Sequence, residues 1–251
     1  MNLTTLFSEL KLNKSFAYKP NFSQLLINGP DALSFLQKMS TNDLNQLAVD
    51  QSLSTVFITH QGKIIDFTHV FCLKKDSFLL LSHHNQNVLY DWLEKYHFVE
   101  DFSITNTNAY EPTIIISCEP KASNALKLFG DDNLTAYLNI TNQNKHELIN
   151  EELWQTLRIA YLYPQVPNEI NENYMPQNVG LDSYISLNKG CFIGQEVIAK
   201  AITYQKNPSF LVGLHNEPNE DFLGIITSKS PVFDAKHINI LAIVKKVLKN
   251  Y

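Results

Sequence analysis

Between Leu53 and Ser82 the chain runs through three stretches dense in apolar and β-branched residues, Leu53–Thr59, Lys63–Leu73 and Ser77–Ser82. Their joints are His60-Gln61-Gly62 and Lys74-Lys75-Asp76, only three residues each. A parallel crossover needs roughly a dozen residues or more, so joints this short demand antiparallel neighbours. The stretch therefore predicts a meander of three strands. Ahead of it, Phe22–Ile27 is a short apolar run closed by the turn Asn28-Gly29-Pro30-Asp31. Leu33, Leu36 and Met39 then recur at helical spacing and predict a helix over about 31–39. After the meander, Val88, Leu89, Trp92, Leu93 and Tyr96 mark one face of a second helix.

A similar round of elements begins near residue 102. Phe102–Thr105, Thr113–Ser117 and Leu134–Ile140 read as strands. Ala122–Phe129 reads as a helix closed by Gly130. The polar stretch Thr141–His146 reads as a loop, and a helix from about Glu147 to Tyr161 carries Trp154 and Arg158. Hairpins mixed with helices predict α+β layers rather than a doubly wound parallel sheet. Pro164–Gly180 is rich in Pro, Asn and Glu; a loop of that length is a functional loop or a linker. The final stretch, Ser209–Tyr251, reads as short strands at Phe210–His215, Gly224–Thr227 and Ile240–Leu248. It is too short to hold a core of its own, so it is expected to dock on the rest. The expected division is a main region 1–207, made of two modules (about 1–100 and 101–207), and a β module 208–251.

Composition narrows the function. Hydrophobic residues make up 44% and charged residues 18% of the 251 positions, an ordinary globular balance. No apolar run reaches about 18 residues and the start lacks a basic, then apolar, leader, so neither a membrane span nor a secretory signal is expected. Cys72, Cys118 and Cys191 are too scattered for a disulfide framework, which points to a reducing, cytoplasmic home. They also lack CxxC spacing, and His83-His84 are adjacent rather than four apart, so no metal or cluster site is expected. The net charge of −5 argues against coating nucleic acid, and Arg158 is the only arginine beside 19 lysines. Forked recognition of bases leans on arginine, so sequence-specific nucleic-acid binding is not expected.

The densest local signal is Lys189-Gly190-Cys191-Phe192-Ile193-Gly194-Gln195-Glu196. Gly190 and Gly194 suggest tight backbone, in a chain with only 8 glycines. Gln195–Ile202 has helical character, which puts Cys191 just ahead of a helix N-terminus. Free N–H groups there, helped by Lys189, would favour a thiolate. The plain alternative is a small buried cysteine, with Glu196 and Lys200 forming a solvated pair four residues apart.

This KGCFIGQE segment is similar to the signature K-G-C-[YF]-x-G-Q-E of YgfZ-type folate-binding proteins, relatives of the glycine-cleavage T-protein (aminomethyltransferase). Other stretches line up in the same order. Asn28–Leu44 (NGPDALSFLQKMSTNDL) resembles the family's opening, and Gly62-Lys63 its hairpin. Pro176-Gln177 resembles the dipeptide before the signature, and Gly224–Ser228 (GIITS) a motif of its terminal barrel. The resemblance implies a T-protein-like fold: two packed α+β modules around a central folate cavity, plus a C-terminal β-barrel-like module, here short. It also implies tetrahydrofolate or a derivative as ligand, a role in iron–sulfur cluster assembly or repair, and through cluster enzymes an influence on tRNA modification. Iron–sulfur proteins or their assembly machinery would be the partners, and Cys191 the functional thiol, with Lys189 and Glu196 of the same signature as the candidate catalytic residues beside it. Aminomethyl transfer of the T-protein type and a non-catalytic adaptor on the same fold are the alternatives.

A folate brings a flat pterin and an anionic tail. The pterin wants an aromatic face and a few placed polar groups, the tail a cation. Trp154 and Arg158 stand four apart on one predicted helix and so face the same way. By the resemblance, Trp154 lines the ligand site, and Phe22 takes the place of another aromatic, usually tryptophan. Gln177 and Asn178 could offer amides to the pterin edge, and Gly190, Gly194 and Gln195 belong to the same signature. The bland readings are core packing for Trp154 and Phe22, a salt bridge for Arg158, and turn polarity for the amides. T-proteins place a catalytic acid in the hairpin after a glycine pair. Counted from Gly62, Phe67 occupies that position and Asp66 lies one earlier, on the opposite face of a strand. The transfer machinery is therefore expected to be absent.

Overall fold

The computed structural model describes residues 3–12, 14–84, 87–118, 125–140, 146–204, 209–219, 222–231 and 237–245. The elements in chain order are α1 (Leu3–Leu10), β1 (Phe16–Tyr18), β2 (Ser23–Asn28), α2 (Ala32–Met39), β3 (Ser52–Ile58), β4 (Ile64–Lys74), β5 (Ser77–Ser82), α3 (Val88–Glu94), β6 (Ser103–Thr107), β7 (Thr113–Ser117), β8 (Leu126–Gly130), β9 (Thr135–Asn139), β10 (Glu147–Leu148), α4 (Glu151–Ala160), α5 (Gln195–Thr203), β11 (Ser209–Leu214), β12 (Gly224–Lys229) and β13 (Ile240–Lys245). Short 3-10 turns stand at Leu44–Gln46, Pro176–Asn178 and Asp182–Tyr184. The class is α+β, as expected. The chain divides into two compact units, each assembled from separated segments. One comprises 21–108 and 165–210, the other 1–20, 109–164 and 211–251.

The 21–108/165–210 unit is built on an antiparallel sheet of order β3-β4-β5-β2-β6. The meander is there, with strand ends within about a residue of those expected. One face of the sheet is closed by α2 and α3, which bury Phe35, Leu36, Leu89 and Leu93 against Leu25, Ile27, Val70, Cys72 and Leu80. Period-two alternation along β4 therefore sends Asp66, Thr68, Val70 and Cys72 to the helix-covered face, and Phe67, His69 and Phe71 to the other.

In the second unit, β1, β7, β8, β9 and β10 form a sheet of order β10-β1-β7-β9-β8. Its pairs are antiparallel except β1–β10, which is parallel. Helix α1, not foreseen from the sequence, buries Leu3, Leu6 and Leu10. Leu126–Phe129, expected as helix, is strand instead. It pairs with β9 (Leu126 with Leu138, Gly130 with Thr135) through a tight turn. In that turn the Asp131 carboxylate accepts the N–H groups of Asn133 and Leu134. Gly130, with φ of 137°, is thus a hairpin glycine and not a helix cap. The start of the expected helix, and Thr141–Lys145 of the expected loop, lie outside the described residues. The C-terminal strands form a three-stranded sheet of order β11-β13-β12.

Candidate functional site

Lys189–Glu196 joins the 3-10 turn region to α5, and most of its residues serve as anchors. Lys189 is buried, and its ammonium donates to three carbonyl oxygens at the end of α2 and in the turn after it: Gln37 at 2.6 Å, Ser40 at 2.7 Å and Asn42 at 2.6 Å. An ammonium has three protons, and each is matched. Burial pulls the Lys189 pKa down to about 8, against a smaller opposing pull from Asp43. Phe192 is buried beneath the same ammonium, 5.3 Å from its ring centroid, and the Ile193 amide donates to the Lys38 carbonyl at 3.1 Å.

Gly194 caps α5 with φ of 79°, and a Cβ there would lie 2.5 Å from the Thr59 carbonyl oxygen. Only glycine fits both demands. Gly190 differs from the sequence reading: a Cβ added there meets nothing within 4 Å, so tightness does not explain it. Cys191 stands exposed on this braced loop, four residues before α5. Glu196 and Lys200 pair at 2.5 Å on the exposed side of the helix, and Gln195 is half-buried in its first turn.

In the same unit, Phe22 is half-buried beside two histidines, edge-on to His83 at 4.8 Å and to His69 at 5.6 Å. Phe67 stacks on His83 at 5.2 Å and touches Tyr184 at 4.9 Å. The His83 Nδ1 lies 2.6 Å from the Phe67 carbonyl, which can only accept, so Nδ1 carries the proton. Burial pushes the His83 pKa down to about 4 and holds His69 well below its ordinary value, with His83 adding to the effect. Both rings are neutral near pH 7. The result is an aromatic wall with neutral imidazoles set into it, on the sheet face opposite the helices. Sequence reasoning did not find this pair, yet the signal was present. His69 follows Phe67 by two residues, and the register Thr68–Ser82 puts His83 opposite Phe67.

Asp66 occupies the other face and is fully buried. Thr68 donates to its carboxyl at 3.0 Å, and the Ser82 hydroxyl and the Phe67 and His83 amides also hold it. Burial outweighs these donors and pushes its pKa up to about 7. Of the expected amides, Asn178 is engaged locally. Its Oδ1 accepts the Met175 amide at 2.8 Å and its Nδ2 donates to the Ser209 carbonyl at 2.8 Å. Gln177 is buried next to it.

Trp154 and Arg158 belong to the other unit, both buried on α4. The indole stacks on Tyr18 at 4.6 Å and 9°. The Arg158 guanidinium donates to Gln155 Oε1 at 2.5 Å, the Tyr163 carbonyl at 3.2 Å and the Ser228 hydroxyl at 2.9 Å. The structure thus places Cys191, Lys189, Glu196, Phe22, Gln177, Asn178 and the signature glycines in one unit. Trp154 and Arg158 are in the other.

The GCVT N-terminal domain family matches residues 19–148, just over half of the chain. The chain belongs to this family. The GCVT match takes in Phe22, Asp66 and both wall histidines, and stops short of Trp154, Arg158 and the signature loop. A putative chloroplastic transferase of Arabidopsis thaliana is 24% identical over 241 residues, covering 80% of this chain and 56% of its own length. An aminomethyltransferase of Caldanaerobacter subterraneus is 24% identical over 226 residues, covering 72% of this chain and 60% of its own. The chain therefore spans less than two thirds of the length of these relatives. The crystal structure of glycine cleavage system aminomethyltransferase T from Bartonella henselae shares the fold at a TM-score of 0.70 and 15% identity, over 96% of this chain and 81% of that one. No helix among the described residues is long and apolar enough to cross a membrane, and no group of three or more metal-ligating side chains is found among them.

Proposed function

We propose that this GCVT-family chain is a folate-binding accessory protein of the YgfZ type. Its task is to support iron–sulfur cluster assembly or repair in the cytoplasm, and thereby tRNA modification. One observation carries the reading. In KGCFIGQE the lysine, phenylalanine, isoleucine and second glycine are all committed to holding the loop, and the cysteine between them is left exposed. A loop fixed this firmly around a free thiol is a means of presenting that thiol.

The donor set suits a folate in kind. Within the 21–108/165–210 unit, Phe22 in its aromatic wall offers a flat apolar surface and Gln177 an amide to a pterin. Kinship with aminomethyltransferases supports the same ligand. A bound reduced folate would supply a carrier for a one-carbon unit. The chain's own residues would bind and orient it and keep the site dry.

Aminomethyl transfer is the second reading, favoured by the relatives' names. Against it stands the hairpin: Phe67 fills the position expected for the acid, and Asp66 is sealed on the helix-covered face. Calorimetric titration of the full chain with tetrahydrofolate tests the ligand. Complementation of a cluster-enzyme defect in a deletion strain by Cys191→Ala tests the thiol. Saturable binding with failed rescue is expected. Normal rescue removes Cys191 from the function, and absence of binding leaves an adaptor on this fold.

A further inference from the structure

Phe98 and Val99 are 80% and 91% exposed, side by side in the loop between α3 and β6. Isolated exposed apolar residues need no explanation, but two adjacent ones at this exposure do. The loop that carries them is not slack. The amides of Phe98 and Val99 both donate to one oxygen of the Glu100 carboxylate, each at 3.2 Å. His97 stacks on Phe102 at 4.0 Å and 17°, and its Nε2 lies 3.1 Å from the Glu100 carbonyl. That carbonyl also accepts the Phe102 amide at 3.1 Å, and the Asp31 carboxylate accepts the Asp101 amide at 2.8 Å. The tip is held in one shape before anything touches it, so little ordering cost remains to be met on binding.

The surroundings of the tip choose its occupant. Between residues 91 and 101 stand Asp91, Glu94, Glu100 and Asp101 against the single cation Lys95. Glu94 lies 3.8 Å from His97, a pairing that counts only when the imidazole is protonated. A segment with four carboxylates against one cation, carrying an apolar tip, repels anionic lipid and nucleic acid. It repels a second copy of itself across a two-fold axis for the same reason. It complements a protein surface with an apolar pocket ringed by lysine and arginine. We propose that the Phe98–Val99 tip is a docking surface for a partner protein that offers such a basic-rimmed pocket.

The test places photoreactive p-benzoylphenylalanine at position 98 of the full chain. After irradiation in cells the adduct is identified, and the captured protein is purified and titrated against the unmodified chain. Phe98→Ser with Val99→Ser should weaken binding by roughly tenfold or more, as loss of a central apolar anchor does. Asp91→Lys with Asp101→Lys should weaken it several-fold, and raising salt from about 50 to 300 mM should weaken the native pair. Melting temperatures of both variants should stay close to the native value, because all four side chains are exposed. Three results overturn the proposal: no adduct from position 98; an adduct with lipid, nucleic acid or a second copy; or a captured protein whose affinity ignores both variants and salt.

Discussion

Asp66 should contribute a stability that falls as pH rises, and Asp66→Asn should abolish that contribution. The carboxyl is fully buried on β4, and burial pushes its pKa from the ordinary 3.8 up to about 7. The folded chain then holds a proton that the unfolded chain has released throughout that window. Stability from this group is fully present below about pH 4 and is lost as pH climbs through 7. One pH unit of difference is worth about 1.4 kcal/mol, so the whole window is worth about 4 kcal/mol, of which roughly 2 falls between pH 5 and 7. Asparagine keeps the shape and an acceptor for Thr68 but does not titrate. His69 and His83 act the other way. Their folded pKa values are depressed, so their contribution is present at neutral pH and lost as pH falls below about 6.5. The native curve is the sum of both effects, and the difference between native and variant isolates Asp66. Urea unfolding of the two proteins at pH 5, 6, 7 and 8 measures it. The native protein should lose about 2 kcal/mol relative to Asp66→Asn between pH 5 and 7, and the gap should flatten above 7. Parallel curves would refute the argument and mean that the carboxyl is ionised inside the fold.

The signature loop sets further outcomes. Gly194→Ala combines a left-handed backbone with a Cβ 2.5 Å from a backbone oxygen. It should cost about 3 kcal/mol in urea unfolding, whereas Gly190→Ala, which meets nothing, should stay within about 0.5 kcal/mol. Lys189→Met strips three carbonyls of their donor and should cost about 3 kcal/mol or more, read as a lower unfolding midpoint. Cys191→Ala should leave stability within about 0.5 kcal/mol. In the native protein a thiol reagent should modify Cys191 at once and reach the buried Cys72 only on unfolding. Protection of Cys191 would contradict the exposed loop.

The sheet was legible because short joints and period-two patterning leave antiparallel pairing no rival, and α2, α3 and α5 because their apolar spacing stands out between turns. What failed was decided by partners outside the segment being read. Leu126–Phe129 carries a helix-compatible pattern, but β9 supplies a ladder seven to twelve residues away and pairing overrides propensity. The two units were not legible either, since each is stitched from separated segments, and no change in composition marks where the chain leaves one for the other.

The site divides along the same line. A signature shows which residues occur together; it does not say which of them hold and which act. Lys189 looked like an electrostatic aid to Cys191, because a lysine two residues from a thiol reads that way in one dimension. In three dimensions its protons go to Gln37, Ser40 and Asn42, about 150 residues earlier, and its charge serves the loop. Gly194 is explained by contact with Thr59, again distant in sequence. Once each residue with a structural duty is subtracted, the exposed Cys191 is the member of KGCFI whose chemistry the fold does not use. The wall histidines invert the case: no motif announces them, but strand alternation and one hairpin register suffice to bring them together. Replacing His83 by Phe should therefore preserve the wall's packing while removing the Nδ1–H bond to the Phe67 carbonyl. If tetrahydrofolate lies against that wall, its affinity in calorimetry should fall by more than the small stability change accounts for. Unchanged affinity would place the ligand away from the wall and leave the histidines as neutral packing.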